Sequence, residues 1–219
     1  MCGRFAAPGE DEIVEAFGVQ DVSGHVGPSW NLAPSQMVGI VIERTRDDKV
    51  LRQLRTARWG LVPSWVKTFD KRSVMFNARA ETVMSKPSFA SAALRRRALV
   101  PAWGYYEWEK HPDGSSTPYF LHPYDDSVLG LAGLYEWWRV PAGTTVNGAV
   151  DGWLCSVTIM THPAADELGH IHDRMPVVVS EGFVDDWLDP DLTDRDDVEQ
   201  MISAMPDPAL TPTPRSPAS

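Results

Sequence analysis

Between residues 98 and 180, glycine, proline and polar turns cut the chain into short segments, and this punctuation constrains the fold more than any other feature. Ala98–Tyr106, Thr117–His122, Ser127–Tyr135, Trp153–Met160 and Pro176–Ser180 are rich in β-branched or aromatic residues. Such side chains lose rotamer freedom in a helix and pack well on a pleated surface. His111–Ser116, Pro123–Asp126 and Pro141–Asp151 supply the turns between them. Met37–Glu43 and Val50–Thr56 read as two further strands, joined by the polar turn Thr45–Lys49. Helical spacing appears at Glu10–Phe17, where Ile13, Ala16 and Phe17 share a face and acidic residues fill the first turn. Pro87–Arg97, Glu181–Leu188 and Asp194–Ala204 read as further helices. The fold class predicted is α+β: one domain over residues 1–205, with a mainly antiparallel sheet, barrel-like or two-layered, and peripheral helices. Pro206–Ser219 holds five prolines and almost no apolar anchor, which predicts a disordered tail.

At 219 residues the chain is long enough to bury a core of this kind. It contains no apolar run approaching the ~18 residues that a membrane helix needs. Its first residues lack a basic stretch followed by an apolar one, so no secretory signal is expected and a cytoplasmic location follows. Two cysteines, Cys2 and Cys155, do not make a disulfide framework, and Cys155 reads as part of a buried strand. The net charge of −10 speaks against nucleic acid until its distribution is read. Residues 1–110 carry 16 Lys/Arg against 12 Asp/Glu, whereas residues 111–219 carry 4 against 18. Within residues 49–97, twelve basic side chains face only Asp70 and Glu81, with Trp59, Trp65, Phe69 and Phe76 among them. Cations interleaved with aromatics suit a groove for single-stranded nucleic acid, and equally a solvated basic face over buried rings.

Cys2 stands directly behind the initiator methionine. Once Met1 is removed, it carries an α-amine and a thiol on adjacent carbons. The amine condenses with an aldehyde, and the thiol closes a five-membered thiazolidine on the resulting imine carbon. An N-terminal cysteine also serves as a nucleophile that uses its own amine as base. Glu107 in Gly104-Tyr105-Tyr106-Glu107-Trp108 is set among large aromatics, where burial disfavours ionisation and prepares a carboxyl for general acid–base work. Phe76-Asn77-Ala78-Arg79-Ala80-Glu81-Thr82 combines an amide, a cation and a carboxylate, and Ile171-His172-Asp173-Arg174-Met175-Pro176 adds an imidazole. Each of these motifs taken alone has a structural reading: a bonded Asn, a salt-bridged Glu, a capping His-Asp-Arg turn. No metal pattern stands out; His170 and His172 would share a face on a strand but lack a third ligand.

In this order, Cys2-Gly3-Arg4-Phe5, Asn77-Ala78-Arg79-x-Glu81-Thr82, Tyr106-Glu107-Trp108 and Ile171–Pro176 resemble the SOS response-associated peptidase (SRAP) family. The resemblance extends to Trp30-Asn31-Leu32-Ala33-Pro34 and Trp59-Gly60-Leu61-Val62-Pro63-Ser64-Trp65, and runs from Cys2 to about Val179. It departs at Pro141–Asp151 and in the Pro-rich tail. It implies an enzyme of the DNA-damage response that caps abasic sites in single-stranded DNA through a thiazolidine. An abasic-site lyase side activity and self-processing at the N-terminus come with it. The catalytic positions it implies are Cys2, Asn77, Glu107 and His172. Arg4, Arg79, Thr161 and Arg174 match positions that hold the DNA backbone, and Trp65 and Trp108 match aromatics that pack against bases. His162 and His170 match none. The resemblance further implies no cofactor, no metal and no membrane. The expected partner is single-stranded DNA containing abasic sites, bound by a monomer at the nucleoid. Two readings of other classes stay open: a non-catalytic module for single-stranded or modified DNA, and a glutamine amidotransferase, which also begins Met-Cys-Gly.

Overall fold

The computed structural model describes residues 2–24, 26–47, 49–69, 75–164 and 168–217. Met1 and the basic residues Lys71 and Arg72 lie outside the described residues. In chain order the strands are β1 (Phe5–Ala7), β2 (Asp21–Val22), β3 (Ser29–Leu32), β4 (Met37–Arg46), β5 (Lys49–Trp59) and β6 (Asn77–Arg79). They continue as β7 (Arg97–Ala102), β8 (Gly104–Lys110), β9 (Ser116–Pro123), β10 (Leu129–Arg139), β11 (Trp153–Pro163), β12 (Arg174–Pro176) and β13 (Leu210–Pro214). The α-helices are α1 (Glu10–Phe17), α2 (Ala90–Arg95), α3 (Val184–Leu188) and α4 (Arg195–Ala204).

Antiparallel neighbours β11, β10, β7, β4 and β5 form a sheet that closes on itself, because β5 also runs parallel to β11 through Arg58 beside Ser156 and Trp59 beside Val157. Alternation along these strands assigns two environments. Val38, Ile40, Ile42, Ala57, Trp59, Ala98, Val100, Leu131, Val157 and Ile159 fill the barrel. Val41, Leu54, Leu99, Ala132, Leu134 and Met160 face outward. There they meet Ile13 and Phe17 of α1, Trp187 and Leu188 of α3, and Val198 and Met201 of α4. The helices are therefore peripheral, as the α+β reading requires.

A second sheet, ordered β13-β9-β8-β1-β3, lies against the first through Phe5, Tyr105 and Leu121, which share the barrel core. The segment Ala98–Tyr106, expected as one strand, is split at Trp103, and its two halves serve different sheets. Gly104 sits at the crossing, where a Cβ would come within 2.4 Å of the Leu121 carbonyl oxygen. That spacing admits no side chain, so the strand changes sheets at a glycine.

Two other expectations need correction. Pro176–Ser180 is not a continuous strand: β12 ends at Pro176, and Leu131 and Val178 then form a single bridge. The Pro-rich tail is not wholly free of structure, since β13 pairs antiparallel with β9, Leu210 opposite Pro123 through Pro214 opposite Tyr119. The Arg215 N–H donates to the Pro118 carbonyl at 3.0 Å. Inward-directed amides alternate along an antiparallel strand, so Thr213 and Thr211 also face β9, while Pro212 and Pro214 occupy positions whose N–H would point away. Proline is tolerated there because no ladder bond is lost.

Candidate active site

Cys2, Glu107 and His172 are separated in sequence and gathered by the two sheets. β1 runs antiparallel to β8, with Phe5 opposite Tyr105 and Ala6 opposite Gly104, and the Tyr106 N–H donates to the Arg4 carbonyl at 2.8 Å. Continued by two residues, this register sets Gly3 beside Glu107, with Cys2 one residue farther on. Tyr105 and Glu107 point to the same, inner side of β8 and are 1% and 4% exposed. Trp108 points the other way and packs with Tyr106 and Phe120, so it lies on the opposite face from the carboxyl.

Cys2 is fully buried in the cluster that holds Phe5, Tyr105, Leu168, Ile171 and Met175. Burial, reinforced by the neighbouring Glu107 carboxylate, drives its thiol pKa far up, so the resting sulfur is a neutral thiol. Burial likewise raises the Glu107 carboxyl, with His172 close enough to oppose that rise and Asp173 adding to it. The Tyr105 phenol is also raised, by burial first and then by Cys2 and Glu107. Glu107 and His172 line one small cavity with Tyr105 and Arg174, about 10 Å³ in volume. That is room for about one water. His172 presents Nδ1 to the Arg174 backbone N–H at 3.0 Å, with the Asp173 carboxylate 2.8 Å away. Where Nδ1 accepts from Arg174, the proton of the neutral ring sits on Nε2; where Nδ1 is protonated, it faces Asp173. His170 and His172 lie in the turn after Gly169 and not on a strand, so the spacing argument for a metal pair does not hold.

β11 organises the flank. β6 runs parallel to it, with Asn77 beside Ile159 and Arg79 beside Thr161, and β12 pairs on its other edge with Pro176 opposite Thr161. The Asn77 amide donates to the Ile159 carbonyl at 3.3 Å. Its Oδ1 is buried with no donor among the described residues, so one acceptor remains for an incoming N–H. Arg174 donates to the Thr161 carbonyl at 2.6 Å and to both Glu81 oxygens at 2.6 and 2.9 Å. The Arg174 hydrogen bonds hold the Glu81 carboxyl down at about 2. Arg4 donates to the Asn31 Oδ1 at 2.7 Å, and Arg79 is exposed. Trp65 stands 63% exposed in the turn after β5, without a ring contact to the cluster among the described residues.

Sequence reasoning left Glu81, Asn31 and Tyr105 without roles. All three occur inside the quoted motifs, which was their only signal. It also overstated the basic segment. Arg97 is 5% exposed and donates to the carbonyls of Trp187 and Asp189 at 2.7 and 2.6 Å. Arg96 pairs with Glu136, and Arg52 with Glu43 and Asp185. Arg58 is buried and bonds Ser35 at 2.8 Å. These four cations hold the fold together and are spent before any phosphate arrives.

The sequence matches the SRAP family, described as SOS response associated peptidase, over residues 1–218. The chain belongs to the SRAP family. Abasic site processing protein YoqW of Bacillus subtilis is 35% identical to it over 205 residues, 92% of this chain and 86% of YoqW. Abasic site processing protein HMCES of Gallus gallus is 31% identical over 228 residues, 86% of this chain and 66% of HMCES. A crystal structure of a Bacteroides thetaiotaomicron protein shares the fold at a TM-score of 0.76 and 22% identity, covering 92% of this chain and 86% of that one. A phage-related protein from Bordetella bronchiseptica superposes at 0.69 with 25% identity, covering 98% and 95%. This SRAP chain thus holds the Glu107 carboxyl, the His172 imidazole and Cys2 close together on a fold shared with those proteins.

Proposed function

We propose that this chain processes abasic sites in the DNA-damage response and caps them in single-stranded DNA by a covalent bond to Cys2. The observation that carries the reading is the burial of Cys2 beside Glu107, whose carboxyl is raised by burial above its usual range, as a proton-handling group requires. Removal of Met1 supplies the α-amine. His172 assists opening of the abasic deoxyribose to its aldehyde by moving a proton at the sugar oxygens. The neutral amine attacks C1′ while Asn77 Oδ1 accepts one of its N–H groups, forming a carbinolamine. Glu107 donates a proton to the departing hydroxyl, which leaves as water and gives the protonated imine, whose nitrogen keeps its remaining proton. The resulting carboxylate takes the Cys2 thiol proton as sulfur bonds to C1′ and the C=N π pair returns to the nitrogen, which closes the neutral thiazolidine and restores the Glu107 carboxyl. A free thiolate is not required, which matches a thiol whose ionisation burial opposes. Ring closure drains the imine before β-elimination cleaves the strand, so lyase activity is a side path. Arg4, Arg79, Thr161 and Arg174 hold backbone phosphates, and Trp65 and Trp108 contact bases. Such binding works at the nucleoid by a single copy of the chain.

The test is a denaturing gel of Met1-processed protein with single-stranded DNA bearing one abasic site, beside intact DNA. A heat-stable shifted band that needs both the lesion and Cys2 is expected. Absence of that band, with Met1 loss confirmed by intact mass, overturns the reading in favour of a non-covalent binding module.

A further inference from the structure

Between β5 and β11 the barrel is closed only at Arg58–Trp59 and Ser156–Val157. Beside this seam lies a cavity of about 710 Å³, whose walls include Arg44, Arg55, Thr56, Trp137, Trp153 and Cys155. Pockets for small molecules occupy ~300–1,000 Å³. Along β11, Cys155 precedes Thr161 by six residues, so the cavity is ~20 Å from the Arg174 cluster at the strand's usual rise.

Its charge arrangement is unlike that of the four structural arginines. The guanidinium carbons of Arg55 and Arg44 stand 5.1 and 5.8 Å from the centre of one ring, that of Trp137. Neither forms an ion pair among the described residues, and Asp151 on the rim is exposed and pairs with neither. Two cations converging on one indole repel each other and leave their donors for an anion. The Trp137 indole N–H is itself buried without an acceptor among the described residues. Thr56 and Ser23 contribute hydroxyls, while Val26, Val150 and the 41% exposed Trp153 contribute apolar and flat surface.

One wall comes from Pro141–Asp151, the segment where this chain departs from the SRAP pattern. Gly148 has a φ of +84°, and a Cβ there would lie 2.3 Å from the Met37 sulfur. The Met37 side chain can move aside, so it is the left-handed backbone conformation at Gly148 that favours glycine in this loop.

We propose that this cavity is a second binding site, for a mononucleotide. Its phosphate sits between Arg44 and Arg55, and its base lies along the apolar side at Trp153. A phosphate dianion matches the two unspent cations, and a flat polar ring matches the exposed Trp153 indole in a cavity that also holds the Thr56 and Ser23 hydroxyls. The site is separate from the Cys2 chemistry and does not depend on it.

The test is calorimetric titration of the full-length chain with deoxyadenosine 5′-monophosphate, deoxyadenosine and inorganic phosphate. The nucleotide is expected to saturate one site, with each fragment at least ~10-fold weaker, as loss of a charge-assisted contact implies. Arg55→Gln and Arg44→Gln should each weaken it by ~10-fold or more while abasic-DNA adduct yield stays unchanged. Val150→Trp, at an exposed loop position, should block entry without disturbing the core. Cys2→Ala should bind the nucleotide like wild type, which separates this outcome from any failure of capping. The proposal is overturned by absence of saturation, by equal binding of deoxyadenosine, or by nucleotide affinity unchanged in Arg44→Gln, Arg55→Gln and Val150→Trp. Loss in Arg174→Gln alone would assign the nucleotide to the DNA groove and also overturn it.

Discussion

The two cysteines stand at opposite reaches of one barrel core, equally hidden and differently furnished. Cys2 shares its end with a carboxyl, an imidazole and a phenol, with Glu107 close enough to act on Cys2 and Tyr105 and to be acted on by His172. Cys155 shares its end with two guanidiniums, and burial still pushes its thiol up to about 12 against their pull. Burial therefore dominates both thiols, and the difference in chemistry comes from what surrounds them. Around Cys2 there are groups that accept and return protons. Around Cys155 there are the Arg55 and Arg44 guanidiniums and, with a weaker influence, the Glu136 carboxylate. In the capping reading proposed above, what sets Cys2 apart from Cys155 is its proton-handling neighbours and the amine that Met1 removal exposes.

The comparison breaks most sharply at the cysteines themselves. Cys2→Ala should abolish the heat-stable adduct, whereas Cys155→Ala should keep the adduct yield within about twofold and cost only ~1 kcal/mol of stability. Loss of adduct in the second variant, with an intact melting transition, would show that the ends are coupled. Next in size is Glu107→Gln. Removing a general acid–base group should slow adduct formation ~10²–10⁴-fold in single-turnover gels. The same change should raise the melting temperature at pH 8. A carboxyl raised on folding costs stability once the pH exceeds its unfolded value of ~4.3, and glutamine removes that cost. Melting curves should thus diverge above about pH 4.3 and converge below it, and a wild type more stable than Glu107→Gln at pH 8 would contradict the burial argument. Asn77→Ala should slow capping ~3–10-fold, the worth of a hydrogen bond between neutral groups, and should cost ~1 kcal/mol in urea titrations because the amide also donates to the Ile159 carbonyl. The smallest effect is Glu81→Gln. Its exposed pair with Arg174 should contribute under ~1 kcal/mol at pH 7. Because that carboxyl is lowered to about 2, the contribution should fade as acid protonates it, between ~4.3 and about 2 in urea titrations.

Most strands and helices were legible because alternation and turn residues are local signals. The helix Glu10–Phe17 matches its expected bounds, and β4 and β5 extend the expected strands toward their shared turn. The split at Trp103 was not legible. Nothing nearby marks a change of sheet except Gly104, whose need for closeness depends on Leu121 from another strand. The candidate site was legible as residue types in order, since Cys2, Asn77, Glu107 and His172 each occupy a distinctive motif. Their partners were not, because Glu81 meets Arg174 across 93 residues, and only the pairing of β6, β11 and β12 brings the two together. The basic stretch 49–97 misled for the same reason. Charge counts in a linear chain do not distinguish Arg97, locked to carbonyls, from Arg79, open to solvent.

The tail strand β13 has a further effect. Its prolines at 212 and 214 fall where an outermost strand would otherwise offer amides to a newcomer. A second chain approaching that rim finds carbonyls without the matching donors, so a continuous ladder cannot start there. Edge-to-edge pairing between copies of the chain is therefore disfavoured along this rim. The segment Leu210–Pro214 thus closes the outer edge of β9 and leaves a rim poor in donors in its place.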